Sequence, residues 1–268
     1  MKLMSAAAAV VSLAMMVQTG YGAPEKASEG NTAPAVPAKP GVLDFQNGAK
    51  YTGDIKAGKM EGKGVLVYAD GARYEGSFTN NMREGKGIHT WPDGSRYEGD
   101  FKNNKPEGKG KLSMKDVFAI EGEFKSGAAH GKAVKTYPNG DKYEGDFSGN
   151  LHTGGIYTWA NGDKYTGGFD GHLPSGTGVK TLANGDKYEG DFRAGNYNGK
   201  GAYEFADGDK YEGDFKDGKM NGKGILAFSN GDKYEGDFKN DMMDGKGTYT
   251  LKDGTKKEGD FKEGEFTE

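Results

Sequence analysis

The amino-acid sequence predicts an all-β protein, in which tandem β-hairpins form an elongated, single-layer antiparallel sheet shaped as an open solenoid or twisted trough. Three observations predict it: a repeat about every 23 residues, strict alternation of side chains within each repeat, and an unusual composition. The 268 residues include 48 glycines, and only 34% are hydrophobic. Such a composition cannot fill a deep core, so we expect shallow burial repeated along the chain.

The first 22 residues differ from the rest. Lys2 precedes an apolar run over residues 6–17, which is too short to span about 30 Å of hydrocarbon. We predict a signal peptide over 1–22, cleaved after Gly22. The chain has no cysteine, and hence neither a disulfide nor a lipid-modified cysteine. The expected location is the periplasm, the cell envelope or the secreted fraction.

Residues 23–42 are predicted to form a flexible spacer, because half of the eight prolines fall there among Ala, Glu and Lys. The repeat array is expected over 43–268, as nine full units and a truncated tenth. One position marks the period most clearly: Tyr51, Tyr74, Tyr97, Ile120, Tyr143, Tyr165, Tyr188, Tyr211, Tyr234 and Lys257.

Each repeat is predicted to form one hairpin. In the first strand, Tyr234, Gly236 and Phe238 share a face, and charged residues occupy the other face, as the period of a β-strand requires. The second strand alternates in the same way, with Gly224 and Leu226 on the aromatic side. We expect these glycines to let each tyrosine ring lie on the backbone.

The turn inside each hairpin is predicted to have two residues. A type I′ turn at 217–218 suits the Asp-Gly sequence there. This register pairs Gly213 with Gly222 and Tyr211 with Gly224.

The turn between hairpins is predicted to have three residues, as at 229–231, because a type I turn followed by a glycine bulge fits the sequence. This odd loop length places Leu226 opposite Tyr234 and keeps all the aromatic residues on one face. The fifth unit lacks one residue near Gly154 and Gly155, and we expect a bulge or kink there.

These motifs resemble those of the MORN repeat family, in which Tyr-x-Gly-x-aromatic, Gly-x-Gly and Asp/Asn-Gly recur. The resemblance covers about residues 45–263, and with the predicted signal peptide the chain looks like a bacterial-type exported member. It implies a grooved, single-layer sheet that serves as a scaffold, a dimerisation module or a lipid-contact surface.

Charge and residue distribution argue against several functions. The 36 basic and 40 acidic residues are interleaved, so no field would attract nucleic acid. Carboxylates recur in every unit, whereas a catalytic pair needs two different environments. The sequence therefore predicts a non-enzymatic protein without a cofactor. His130, His152 and His172 lie near the tips of three successive hairpins, but a spacing of about 10 Å between units and side chains that point in different directions argue against a metal site.

The aromatic face is the predicted binding surface, because rows of rings suit proline-rich peptides or sugar rings. The alternative is that these rings are simply the core of a one-layer sheet. The candidate residues are Tyr74, Trp91, Tyr97, Tyr143, Trp159, Tyr165, Tyr188, Tyr211 and Tyr234.

The leading functional hypothesis is an exported scaffold that binds a protein or an extended peptide along this face. A cell-envelope glycan binder and a peripheral binder of anionic lipid are the alternatives. The lysines of the Gly-Lys-Gly segments could meet lipid, but their acidic neighbours favour a solvated face of cross-strand ion pairs. Homodimerisation through the C-terminal edge is a further hypothesis.

Overall fold

The computed structural model describes residues 37–267. The strands are β1 (Lys39–Asp44), β2 (Lys50–Lys56), β3 (Lys59–Val67), β4 (Arg73–Thr79), β5 (Met82–Thr90), β6 (Arg96–Lys102), β7 (Lys105–Met114), β8 (Phe118–Lys125), β9 (Ala128–Thr136), β10 (Lys142–Ser148), β11 (Leu151–Thr158), β12 (Lys164–Asp170), β13 (Leu173–Thr181), β14 (Lys187–Arg193), β15 (Asn196–Glu204), β16 (Lys210–Lys216), β17 (Lys219–Ala227), β18 (Lys233–Lys239), β19 (Met242–Thr250), β20 (Lys256–Lys262) and β21 (Glu265–Thr267). All 21 strands belong to one antiparallel sheet that does not close. This part of the chain has no helix, and so none long and apolar enough to cross a membrane.

The described chain divides into two compact units. The N-terminal unit comprises residues 37–139 and 146–150, and the C-terminal unit comprises 140–145 and 151–267. Within each unit, every strand pairs with the next one along the chain. The predicted fold class, an open antiparallel sheet of tandem hairpins, is confirmed.

The turns between hairpins have the predicted geometry. The Phe228 N–H donates to the Asp232 carbonyl at 2.9 Å, and the Gly231 N–H donates to the Phe228 carbonyl at 2.9 Å. Gly231 has a φ of +98°, as the glycine bulge of a three-residue loop requires. Leu226 therefore lies opposite Tyr234.

The register within the hairpins differs from the prediction. The two-residue turn is present, with Phe215 opposite Met220, but Gly213 pairs with Gly224 and not with Gly222. A bulge separates these pairs, so that Asp214 faces the three residues 221–223.

A glycine conformation and a hydrogen bond stabilise this bulge. Gly222 adopts a φ of +108°, which residues with a side chain rarely adopt. The Asp214 carboxylate accepts the Lys223 N–H at 3.1 Å. The bulge moves Tyr211 opposite Leu226 rather than Gly224.

Each tyrosine covers the glycines beside this bulge. The Tyr211 ring lies so close to Gly213 and Gly224 that a Cβ on either would overlap it. Its hydroxyl donates to the Asp214 carbonyl at 3.0 Å. The predicted packing of ring on glycine is therefore present, and the bulge provides the acceptor that a buried hydroxyl needs.

Phenylalanines join one hairpin to the next. Phe215 lies edge-on to Tyr211 at 5.1 Å between ring centroids, and Phe238 of the following hairpin meets the same tyrosine at 4.8 Å. These edge-to-face contacts are the favoured geometry of aromatic pairs. Tyr211, Phe215 and Phe238 are buried, and they belong to a mainly aromatic core that runs from Tyr165 to Phe261 in the C-terminal unit.

The fifth repeat does not show the expected irregularity in the ladder on its C-terminal side. Strand β11 pairs with β12 from Gly154 opposite Gly168 to Thr158 opposite Lys164, without a shift of register. The expected bulge is therefore absent from the β11–β12 ladder.

The predicted spacer, residues 23–42, extends too far. Strand β1 begins at Lys39 and pairs with β2, with Pro40 opposite Asp54. Among residues 37–267, β1 pairs with β2 alone, and prolines in sheets occur mainly on such edge strands. The predicted signal peptide, 1–22, lies outside the described residues.

Candidate functional site

The tyrosines predicted to bind a partner are buried. Relative exposure is 0–1% for Tyr74, Tyr97, Tyr143, Tyr165, Tyr188, Tyr211 and Tyr234. Desolvation accordingly raises the pKa of the Tyr165 hydroxyl to about 12. These rings contact one another and the backbone, so a ligand cannot reach them without displacing the core.

The two predicted tryptophans are half-buried. Trp91 lies edge-on to His89 at 4.6 Å between ring centroids. Trp159 packs against Tyr157 at 4.7 Å and lies below the Lys180 ammonium at 5.2 Å. Binding by these tryptophans stays a prediction.

Sequence reasoning missed three cations on the aromatic face. The Arg83 guanidinium lies over Tyr74 and Phe101, at 5.5 Å from each ring centroid. Lys135 is buried with its ammonium 4.3 Å from the Phe118 centroid, and burial lowers its pKa to about 8. The third is Lys180, described above. The alternation of each strand already assigned these residues to the aromatic face, so the signal was present.

The histidines are closer together than predicted. His152 stacks on Tyr143 at 3.7 Å between centroids, and His172 lies 4.5 Å from His152. The His152 N–H donates to the Gly171 carbonyl at 2.9 Å, which links β11 to the tip of the next hairpin, beside His172. His130 is exposed. No group of three or more potential metal ligands occurs among the described residues.

The opposite, charged face of the N-terminal unit forms a groove of about 1500 Å³ between strands β3 and β9. The cross-strand register sets two rows of side chains along it. The floor row is Val65, Glu75, Ile88, Glu98, Lys111, Glu121 and Val134. The lysine row is Lys63, Lys86, Lys109 and Lys132.

Aliphatic side chains and paired charges share the floor row. Val65, Ile88 and Val134 are half-buried. The Arg73 guanidinium meets the Glu75 carboxylate at 2.7 Å. The same pairing occurs between Arg96 and Glu98 at 2.7 Å, and Lys111 meets Glu121 at 3.4 Å. The two arginine pairs each lie within one strand, β4 or β6, whereas the Lys111–Glu121 pair joins β7 to β8 and is a cross-strand ion pair of the predicted kind. Alternation alone gave no sign of the groove.

The geometry defines a class of protein: a tandem β-hairpin repeat protein with an aromatic core on one face and a charged groove on the other. Nine MORN repeats are recognised in the sequence, at residues 51–73, 74–96, 97–116, 121–142, 143–164, 165–187, 188–210, 211–233 and 234–256. The chain belongs to the MORN repeat family. MORN arrays commonly serve as binding or scaffold modules, and the family is generally non-enzymatic.

Comparison with curated proteins gave no match. Among solved structures, the G-box domain of the microcephaly protein CPAP matches with 15% identity and a TM-score of 0.38, covering 74% of this chain and 98% of that one. The TCP domain of SAS-4 (dCPAP) from Drosophila melanogaster, in complex with a proline-rich motif of Ana2 (dSTIL), matches with 11% identity and a TM-score of 0.18, covering 88% and 97%. A streptogramin B lyase matches with 10% identity and a TM-score of 0.16, covering 87% and 85%. Scores this low do not indicate a shared arrangement of the whole chain.

Proposed function

We propose that this chain is a non-enzymatic binding protein whose groove in the N-terminal unit holds an extended peptide segment of a partner. The groove itself is the observation that carries this proposal, because its floor row offers aliphatic side chains among charged ones, beside the lysine row. The partner class is the one predicted from the sequence, but we place the binding surface on the charged face and not on the aromatic face. The reason is that the seven tyrosines of the aromatic face are buried.

The dimensions of the groove favour a peptide. Seven strands, β3 to β9, contribute to it, and six steps of roughly 4.8 Å give a length of about 29 Å. An extended peptide rises about 3.3 Å per residue, so about nine residues would fill the groove. Val65, Ile88 and Val134 would pack against apolar side chains of the peptide, and the charges of the floor row and the lysine row would fix its register.

Substitution of one floor residue tests the proposal. Peptides selected from a random display library against the full chain would be measured by fluorescence anisotropy. Ile88→Glu should weaken binding by about tenfold or more, because it buries a carboxylate against the apolar part of the peptide. Ile225→Glu is the matched control, since Ile225 occupies the same register position in the C-terminal unit.

Three results would contradict peptide binding in the groove. Equal losses from Ile88→Glu and Ile225→Glu would mean that the groove is not special. Loss with Trp91→Ala and Trp159→Ala, but not with Ile88→Glu, would return the site to the aromatic face. Retention on purified peptidoglycan or on anionic vesicles, without any peptide binding, would favour the glycan or the lipid alternative.

We further propose that the protein is exported, on the basis of the signal-peptide pattern over 1–22. N-terminal sequencing of the protein recovered from cells should begin at Ala23. An intact Met1 would overturn this proposal without affecting the groove.

A further inference from the structure

The lysine row follows a rule of ion pairing that two of its members break. In most repeats, the lysine that follows the first glycine of the Gly-Lys-Gly (in one repeat Gly-Lys-Ala) segment pairs with the aspartate 14 residues later, on the neighbouring strand. The distances between ammonium and carboxylate run from 2.7 to 3.3 Å. The pairs are Lys86–Asp100, Lys132–Asp146, Lys200–Asp214, Lys223–Asp237 and Lys246–Asp260.

Lys63 and Lys109 lack this aspartate. Ser77 stands opposite Lys63 and accepts a hydrogen bond from its ammonium at 2.9 Å. Glu123 stands opposite Lys109, but its longer side chain brings the carboxylate beside Gly131 of β9. Within residues 37–267 neither exposed lysine has a carboxylate within 4.0 Å, so each presents an unneutralised charge to the groove.

We propose that Lys63 and Lys109 bind two carboxylates of the peptide that are six residues apart, an assignment that rests on the proposed function. Lys63 lies on β3 and Lys109 on β7, so four strand steps of roughly 4.8 Å separate them by about 19 Å. At about 3.3 Å per residue, an extended peptide covers this distance in about six residues. An even separation also places both carboxylates on the same face of the peptide.

The surface between the two lysines favours aliphatic side chains. Ile88 lies on β5, midway between β3 and β7, and is half-buried. Lys86 on the same strand is already neutralised by Asp100 at 2.8 Å. The partner is therefore an acidic amphipathic strand, with a carboxylate, two aliphatic side chains and a second carboxylate at alternate positions.

Three nonapeptides test the spacing, measured by isothermal titration calorimetry against the full chain. The first has Glu at positions 2 and 8, Ile at positions 4 and 6, and Ser elsewhere. The second has Gln in place of both Glu residues, and the third moves one Glu from position 2 to position 3, onto the other face. The first should bind about three- to tenfold more tightly than the others, as expected for two exposed ion pairs. This advantage should shrink as salt is added.

Two substitutions restore the ordinary pairing without introducing a residue foreign to the repeat. Ser77→Asp and Glu123→Asp supply the missing aspartates, so they should neutralise Lys63 and Lys109 and abolish the preference for the first peptide. Lys200→Gln with Lys223→Gln, in the C-terminal unit, should leave the preference unchanged.

The outcomes separate this inference from the proposed function. If no peptide binds in an Ile88-dependent way, both fail. If all three peptides bind equally and all are weakened by Ile88→Glu, the groove stands and the assignment of Lys63 and Lys109 is overturned. A preference that survives Ser77→Asp and Glu123→Asp overturns it as well.

Discussion

At the scale of the residue, tyrosine and glycine form one packing unit, and the fourth repeat shows this by exception. Ile120 replaces the tyrosine there, and Ala133 replaces the glycine that would lie beneath the ring. Both side chains are buried. An alanine methyl group is accommodated because no aromatic ring covers its backbone.

Replacing a covered glycine should therefore destabilise the sheet. Gly224→Ala puts a Cβ into the Tyr211 ring, and overpacking of this kind costs roughly 1–3 kcal/mol of unfolding free energy. Urea denaturation followed by circular dichroism would measure the loss. Ala133→Gly is the control and should cost less than about 1 kcal/mol.

The double variant Tyr211→Ile with Gly224→Ala reproduces the fourth repeat within the C-terminal unit. It should be more stable than the sum of the single losses predicts, because the isoleucine leaves room for the methyl group. Additive losses would mean that the ring is not the reason for the glycine.

His89 gives the stability of the fold a dependence on pH. Burial, with the nearby Arg83 guanidinium as a second cause, lowers the pKa of its imidazole to about 3, and Asp70 opposes this shift. In the unfolded chain the pKa is about 6.5. The unfolded state therefore binds more protons between these values, and stability present above pH 6.5 is lost as the pH falls toward 3.

The window from pH 6.5 to 5.0 isolates this effect from the titration of ordinary carboxylates. The free energy of unfolding should fall there by at most about 1.4 kcal/mol per pH unit on account of His89. His89→Gln should make the slope shallower, whereas His130→Gln, at an exposed position, should not. Identical slopes in all three proteins would contradict the assignment to His89.

At the scale of the element, alternation and turn chemistry fixed most of each hairpin in advance. The three-residue loops, the aromatic face and the pairing of Leu226 with Tyr234 all follow from side-chain parity. The bulge opposite Asp214 was missed because it changes the register by two residues, which leaves every side chain on its expected face. Parity alone cannot detect such a shift.

The sequence does contain a signal for this bulge, in the two glycines of each Gly-Lys-Gly segment. Gly222 is required for its positive φ, and Gly224 is required because Tyr211 covers it. Two different requirements two residues apart indicate an irregular strand, since a regular one would need only the second. The bulge also frees the carbonyl that the tyrosine hydroxyl needs.

At the scale of the whole molecule, the candidate site was the least predictable feature. Periodicity assigned aromatic and charged residues to opposite faces. Whether either face forms a groove depends on how the sheet curls and how closely its rings pack. Edge-to-face contacts between hairpins bury the tyrosines. Phe238, for example, packs edge-on against Tyr211. The groove of the N-terminal unit lies on the other face, where Ser77 and Glu123 replace the aspartates that pair with lysine in the other repeats.

Because each hairpin contacts its sequence neighbours, removal of one repeat in phase should leave a folded sheet. Deletion of residues 211–233 would bring Tyr234 opposite Tyr203, in the place of Tyr211, and Phe238 against Tyr188, in the place of Phe215. We expect the β-sheet circular dichroism signal to persist and the denaturant m-value to fall, because less surface is exposed on unfolding. The in-phase deletion lies outside the groove, so peptide binding should be unchanged.

Deletion of residues 211–222 is the control, since it breaks the period and separates the rings from their glycines. Equal loss of structure in both variants would show that the repeats are not interchangeable neighbours.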